Sequence, residues 1–527
     1  VVVTRSASEG AGLNSEVRII FPGLMLAMFV AALDQTVVAT SLPSIATDLG
    51  GLTRLSWVVT AYVLAISVST PLHGKLGDLF GRKRLMQISL AIFTVGSILC
   101  GTSQGMVELV IFRALQGTGA SGMMVNSQAI IGDLIPPAER GRYQGYMQSS
   151  FALATITGPL IGGVITQHLN WRWVFYVNTP ICFLALLVVT VRLTAAAHVR
   201  RARHIDWLGA ALLSSGITAL ILVVTWGGNT LAWGSAELLG LAFIATALLV
   251  AFFLNERQAQ EPVLPLHLFG NDVIRVTTPL AFVAGFATLG GTTFVPLFLQ
   301  TVDGASPSLS GLLMAPLWMS WALSSAICGK VISGTGHYRR FPIAGTFLLG
   351  LGLLSFSFLD KATPYTVLAT VLVVIGAALG MNSSVLVLAA QNAAAPEDLG
   401  VATSTTTFSR TIGASFGVSV FGAIYSASLV QELRSHVSPS IVARFANHGA
   451  DIGGEQITAL SAHLRAEFVN ASELALHDVF RGGAVVAFLA CLIALRVREL
   501  PLRRKRNPSP GAAGEEAGTG PEGSAVR

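Results

Sequence analysis

Asp34 is an ionisable residue inside an apolar run from Ile19 to Leu42, and such a group in a membrane-spanning helix costs about 2.5–3.5 kcal/mol even on insertion scales. An opposite charge at the same depth offsets that cost, and Arg113 is the obvious partner. Asp34 lies about 9 residues before Pro43, roughly 13 Å along a helix, and Arg113 about 7 residues after Met106, roughly 10 Å, so the two share a depth. A carboxylate beside a guanidinium, in surroundings that alternate between wet and dry, can bind a proton in one state and release it in another, which is what proton coupling requires. A static ion pair between helices is the competing reading.

Other stretches carry less chemistry and more mechanics. Gly74-Lys75-Leu76-Gly77-Asp78-Leu79-Phe80-Gly81-Arg82-Lys83-Arg84 joins the second and third apolar runs. Its glycines permit close helix approach and a tight turn, Asp78 can accept from N–H groups at a helix terminus, and the cations hold the loop on the cytoplasmic side. A turn with positive-inside charges explains the cations but not an Asp bracketed by glycines. Gly158-Pro159 with Gly162-Gly163 sits inside the fifth run, where proline removes a backbone hydrogen bond and the glycines offer a flat packing surface; Gly413 and Gly417 repeat that surface later. Arg410 lies in the middle of its run with no acidic partner visible within the spans of the second half, and either lines a cavity or pairs with a carbonyl.

The elements that must position these residues are transmembrane helices. Mean hydropathy is +0.67, with 52% hydrophobic and 11% charged residues, against about a quarter charged in soluble domains. Apolar runs of about 20 residues, each able to cross roughly 30 Å of hydrocarbon, recur along the chain about fourteen times. They fall near 19–42, 55–76, 85–103, 106–131, 143–166, 172–192, 206–226, 236–254, 274–299, 309–332, 341–359, 364–389, 401–427 and 479–497, and a count of twelve would also be acceptable. With the N-terminus in the cytoplasm, roughly 24 of the Lys and Arg fall on cytoplasmic segments, and the short external loops hold little beyond Arg54, Arg172 and Lys361. The net charge of +6 is thus a topology signal and not a nucleic-acid footprint. An even number of spans returns the C-terminus to the cytoplasm with Arg503, Arg504, Lys505 and Arg506. The first run is too long for a signal-peptide core and is expected to serve as the insertion signal.

Two echoes divide the chain into parallel repeats. Gly74-Lys75-Leu76 leading to Gly81 and Arg84 recurs as Gly329-Lys330-Val331 leading to Gly336 and Arg340. Pro137-Ala138-Glu139-Arg140-Gly141 recurs as Pro396-Glu397-Asp398-Leu399-Gly400. The expected organisation is a cytoplasmic tail (1–18), a six-helix bundle (19–192), a basic connector with two inserted helices (193–255), and a second six-helix bundle (272–498). The second bundle contains a long external loop (430–477), and a disordered cytoplasmic tail (499–527) follows.

Several signals are declined. Gly117-Thr118-Gly119-Ala120-Ser121-Gly122 fits a dinucleotide fingerprint in letters but lies inside an apolar helix, where packing is the better account. No GxxxxGK[ST] stretch suggests ATP as the energy source, and no GxSxG marks a hydrolase. Cys100, Cys182, Cys328 and Cys491 stand singly in apolar runs, and the histidines lack metal spacing. No cofactor, no metal and no enzymatic activity are expected.

These motifs together resemble the major facilitator superfamily, in its fourteen-span drug:proton antiporter branch, over nearly the whole chain. Leu33-Asp34-Gln35-Thr36-Val37-Val38 through Leu42-Pro43 resembles the branch's first-span motif, and Gly74 to Arg84 the superfamily's signature loop. Arg113-Ala114-Leu115-Gln116-Gly117 resembles the fourth-span arginine motif, and Gly158-Pro159-Leu160-Ile161-Gly162-Gly163 the fifth-span antiporter motif. Trp171-Arg172-Trp173-Val174-Phe175 before Asn178 and Pro180 is also typical of the branch. The resemblance implies proton coupling at Asp34 and Arg113, a cytoplasmic gate at Gly74, Gly77, Asp78, Gly81, Arg82, Lys83 and Arg84, and a pivot or seal at Gly158, Pro159, Gly162 and Gly163. Leu79 stands where the signature loop often has Arg, and the second span lacks the extra acidic residue of some cation exporters.

Alternating access follows as the expected mechanism, the halves rocking about a midplane cavity. Its candidate lining is Asn126, Gln148, Asn178, Trp318, Trp321, Asn382 and Arg410, beside Asp34 and Arg113. Aromatic and apolar walls with a few polar anchors suit amphipathic small molecules. The expected partners are a small-molecule substrate, protons and the lipid bilayer of the inner membrane, with no nucleic acid, the chain working as a monomer. Export of one dedicated metabolite, such as an antibiotic, lipid or siderophore, is the first alternative; a scaffold or sensor that no longer transports is the second.

Overall fold

The computed structural model describes residues 8–49, 55–193, 205–227, 231–436 and 462–502. Among them, regular structure is helical apart from one isolated bridge between Gly227 and Leu231. Helices α1 (Ser8–Leu49), α2 (Leu55–Phe80), α3 (Arg82–Thr102), α4 (Met106–Leu134), α5 (Pro137–His168), α6 (Trp173–Tyr176) and α7 (Asn178–Arg192) precede a hairpin of α8 (Trp207–Trp226) and α9 (Ala236–Glu256). After it come α10 (Asp272–Thr292), α11 (Val295–Thr301), α12 (Pro307–Leu313), α13 (Ala315–Thr335), α14 (Arg340–Phe356), α15 (Tyr365–Ala393), α16 (Leu399–His436) and α17 (Ala462–Ala494). Arg54, the connector residues 194–204 and the tail from 503, with its basic cluster, lie outside the described residues.

Among the described residues, twelve helical segments are long and apolar enough to cross a membrane. The two remaining expected runs are also helices, for which length and polarity differ from a simple span. Arg340–Phe356 has 17 residues. Met106–Leu134 is long but carries Glu108, Arg113, Gln116, Asn126, Gln128 and Asp133, which is physically reasonable for a helix whose neighbours, and not lipid, satisfy it: Arg113, Gln116, Asn126 and Gln128 are all buried. The stretch 430–477, read as an external loop, is occupied at both ends by helix. α16 continues to His436 and α17 begins at Ala462, because Leu429 and Leu433 pack in one core with Phe468, Ala471 and Ala475; residues 437–461 lie outside the described residues.

Separate apolar cores fill the regions before and after the hairpin. Leu24, Tyr62, Phe93, Met123 and Cys182 belong to the first, and Phe298, Leu317, Phe356, Leu372 and Phe480 to the second. The hairpin lies over the seam between them, where Leu213, Ile217 and Phe252 pack with Leu64, Val68 and Leu72 of α2 and with Phe408 and Phe416 of α16.

Both echoed motifs sit on that seam, crosswise. A Cβ added to Gly74 on α2 would lie 2.7 Å from the Gly400 carbonyl on α16, and one added to Gly400 would lie 2.7 Å from the Gly74 carbonyl. On α5 and α13, Gly141 and Gly329 face each other in the same way, a Cβ on Gly141 meeting the Gly329 carbonyl at 3.0 Å. The first motif of each half therefore packs on the second motif of the other. Gly81 and Gly336, seven positions after Gly74 and Gly329, both have positive φ, 94° and 78°, a backbone that glycine takes without steric cost. Each ends the helix that carries its interfacial glycine.

Candidate functional site

Asp34 and Arg113 meet. The carboxylate is 0% exposed, and its Oδ2 accepts from Arg113 Nη1 at 2.6 Å. Its Oδ1 accepts from Gln116 Nε2 at 2.9 Å and from Asn178 Nδ2 at 2.7 Å. All three partners are N–H donors, the arrangement that an ionised carboxylate accepts. Arg113 is held in turn by α2: its Nε donates to the Val58 carbonyl at 3.2 Å, and its guanidinium lies 4.0 Å from the centroid of the Tyr62 ring. Ser97 of α3 accepts from Gln116 and Asn178 and donates to the Phe175 carbonyl. Four helices thus converge on one carboxylate, and α1 places it there because Ala31, Ala32, Leu33, Val37 and Val38 are all buried around it.

Asp78 sits at the other end of α2. Its Oδ1 accepts from Arg82 Nη2 at 2.7 Å and from the Gly400 N–H at 3.1 Å, while Oδ2 accepts from the Val401 N–H at 2.9 Å. A carboxylate in the first half therefore caps the start of α16 in the second, where unpaired N–H groups and the helix dipole favour negative charge. Arg82 also pairs with Asp133 and donates to the Ala129 carbonyl of α4. Lys83 reaches the Thr190 carbonyl at the end of α7, and Arg84 is exposed. Nearby, Gln391 of α15 donates to the Gln128 carbonyl and to Thr403, and accepts from Gln144 of α5 at 3.3 Å. These bonds tie the halves together at the Asp78 end of the molecule.

Gly158 and Gly162 lie against α1 beside the Asp34 cluster. A Cβ on Gly158 would meet Thr36, its Cβ at 2.7 Å, and one on Gly162 would come 2.8 Å from the Val37 carbonyl; Gly163 has open space around it. Pro159 lies between these contacts, within α5.

The residues expected to line a cavity separate into groups. Asn178 belongs to the Asp34 cluster. Asn126 faces Gly77, and Asn382 faces Gly345 of α14, so both sit between helices within their own halves. Trp321 donates to Ser383 at 3.1 Å and stacks with Trp318 and with Phe151 of α5, at centroid distances of 5.6 and 5.7 Å. Gln148 is buried with its Nε2 unpartnered, and Arg410 is partly buried on α16. Gln116 enters the sequence reading only as a letter of the Arg113-to-Gly117 motif, and Tyr62, Ser97, Asp133 and Gln391 do not enter it. For Gln116 a signal existed, since it stands three positions after Arg113 on one helix face; the others depend on which helices become neighbours.

The family model described as Major Facilitator Superfamily matches residues 24–418. An uncharacterized MFS-type transporter of Mycobacterium tuberculosis is 41% identical over 497 residues, covering 94% of this chain and 71% of that protein. The multidrug transporter protein MdtP of Bacillus subtilis is 33% identical over 518 residues, covering 94% and 95%. Among solved structures, that of the proton:xylose symporter XylE superimposes with a TM-score of 0.61 at 15% identity, covering 93% of this chain and 98% of that one.

Proposed function

The chain belongs to the major facilitator superfamily, and from that premise we propose that it is a proton-driven exporter of small amphipathic compounds working by alternating access. The carrying observation is the Asp34 cluster, a carboxylate 0% exposed, held by three N–H donors and paired with Arg113. With all its contacts made to N–H donors, the closed cluster offers a carboxyl O–H no acceptor. Rearrangement of α1 against α4 and α7 removes donors and lets a proton bind, so protonation and conformation exclude one another in the way coupling needs. Relatives named as multidrug transporters support export of foreign compounds.

In this reading the chain spans the inner membrane fourteen times with both termini in the cytoplasm, α4 and α14 being the two spans least marked by apolarity and length. The bundles 19–192 and 272–498 are the rocking bodies, and α8 and α9 are an inserted hairpin. Asp78 and its glycines form the cytoplasmic gate, a reading supported by the bonds from Gly400 and Val401 to Asp78, and Gly158, Pro159, Gly162 and Gly163 form the pivot. One inward proton contributes about 2.3 kcal/mol per 100 mV and 1.36 kcal/mol per pH unit, and each 1.4 kcal/mol sustains about a tenfold concentration ratio.

Efflux of a fluorescent dye from cells carrying the wild type or Asp34→Asn, with the pH gradient and the voltage collapsed separately, tests the proposal. Proton antiport through Asp34 requires that collapsing the pH gradient stops wild-type efflux and that the mutant lacks it from the start. Efflux in the mutant equal to wild type removes Asp34 as the coupling site.

A further inference from the structure

Arg410 makes no hydrogen bond, ion pair or ring contact among the described residues. It stands a third of the way along α16, its backbone against α10: a Cβ on Gly285 would lie 3.1 Å from the Arg410 Cα. No acidic residue occurs on α10 beyond Asp272, on α13, on α15, or on α16 before Glu432. The acidic groups of the first half that come nearest the seam are committed, Asp34 to Arg113 and Asp78 to Arg82 and the start of α16. Among the described residues Arg410 therefore carries a positive charge that no acidic side chain compensates.

Polar atoms without partners lie on the helices that meet at Gln391. Gln391 forms a floor on which Gln144 of α5 and Thr403 of α16 are both bonded. Gln144 bonds through its Nε2 and leaves its Oε1 open, and one turn further along each helix Gln148 Nε2 and Thr407 Oγ1 are buried without partners, in residues 2% and 6% exposed. Arg410 stands three residues beyond Thr407, on the same face of α16. Beyond Gln148 on α5, Phe151 packs on the Trp321 ring. Buried polar atoms are normally satisfied, and Thr407 left open one turn from an unpaired cation, with Gln148 open one turn past Gln144 and the Gln391 floor, calls for a ligand. A guanidinium, an amide N–H and a hydroxyl all donate, so the ligand must accept, and the aromatic wall takes an apolar body.

We propose that Arg410, Gln148 and Thr407 form an anion-binding subsite of the substrate cavity, so that the transported compound is an amphipathic anion carrying a carboxylate or sulfonate on an aromatic body. This deepens the exporter reading and rests on it only for the word transported.

The test uses the full chain in phosphatidylcholine nanodiscs, as wild type, Arg410→Gln and Arg410→Lys, with three radiolabelled probes of one shape: 2-naphthalenesulfonate, 2-naphthalenemethanol and 2-naphthylmethylammonium. The wild type is expected to bind the sulfonate most tightly. Arg410→Gln should weaken it at least about tenfold, as loss of a charge-assisted hydrogen bond does, leaving the neutral probe unchanged, while Arg410→Lys restores part of the difference. Equal sulfonate affinity in wild type and Arg410→Gln, or a wild-type preference for the ammonium probe, overturns the subsite. Loss of sulfonate binding on adding phosphatidylglycerol keeps the subsite and makes its occupant a lipid anion. Binding needs no gradient, so a chain that binds the sulfonate through Arg410 yet moves no probe under a pH gradient sinks the exporter reading alone. Gradient-driven export of the ammonium probe, undiminished in Arg410→Gln, does the reverse.

Discussion

Asp78 of α2 and Ser333 of α13 hold the same place in the two halves, four residues after an interfacial glycine, and each accepts a hydrogen bond from a backbone N–H near the start of a helix in the opposite half. Asp78 takes the N–H of Gly400 and Val401, and Ser333 takes that of Arg142 at 3.0 Å. The pair is chemically unequal. Residues Pro396–Asp398 form a 3-10 turn before α16, so Gly400 and Val401 fall in the first turn of the α-helix, where N–H groups lack intrahelical partners. α5 is α-helical from Pro137 onward, so the Arg142 N–H sits beyond its first turn and has less need of Ser333.

Asp78→Asn removes the charge that faces both the α16 dipole and Arg82. A charged cap is worth about 1.5–3 kcal/mol against about 1 for a neutral one. The closed end should open more often, raising the maleimide labelling rate of a cysteine placed at the buried Ser404 about tenfold, in a background whose native cysteines are replaced. An unchanged labelling rate would mean that the glycine contacts alone hold this end shut.

Ser333→Ala should raise labelling at Ser404 by less than about threefold, because a neutral bond to an N–H already inside a helix contributes at most about 1 kcal/mol. Equal effects of the two substitutions would show that the halves are gated symmetrically and that the charge at Asp78 does not matter.

The pairing of Asp34 with Arg113 is legible from their distances to Pro43 and Met106, because a helix fixes height along its axis from residue number alone. Rotation is harder to read. Asn126, Asn382 and Trp321 all lie in spans at suitable depth, yet the two asparagines turn toward Gly77 and Gly345 while Trp321 turns toward Phe151 across the seam. In a helix buried on most sides the apolar stripe that announces a facing direction is absent, as in α4, whose buried residues run almost continuously from Gln116 to Gly132. The crosswise meeting of Gly74 with Gly400 and of Gly141 with Gly329 was likewise half legible: the echoes were visible, and their partners were not.

The fifth-span glycines should not behave alike. Gly158→Ala and Gly162→Ala each drive a methyl into α1, at Thr36 and at the Val37 carbonyl, two and three residues past Asp34. Overpacking of this kind costs about 1–3 kcal/mol, and the displaced α1 should loosen the Asp34 cluster, lowering gradient-driven efflux several-fold. Gly163→Ala meets nothing within 4 Å and should match wild type. Comparable losses at all three positions would point to helix flexibility, and not the α1 contact, as the reason for the motif.

Asp34→Asn keeps the shape of the side chain and reverses the chemistry of one arm. Its oxygen can still receive Gln116 and Asn178, but its NH2 then faces Arg113 Nη1, donor against donor. Arg113 retains Gln116 Oε1 at 2.8 Å, the Val58 carbonyl and the Tyr62 face, so it remains partly satisfied. Breaking a buried pair costs about 3–5 kcal/mol, and those remaining contacts should keep the loss of stability toward the lower end, seen as a reduced melting temperature in detergent with normal membrane insertion. Proton-driven efflux should vanish, while binding of substrate without a gradient changes less than about twofold. If efflux persists and still collapses with the pH gradient, the proton is carried elsewhere. His73 is then the next residue to substitute, since it is buried on α2 with its Nδ1 between the Ser69 carbonyl and Ser121.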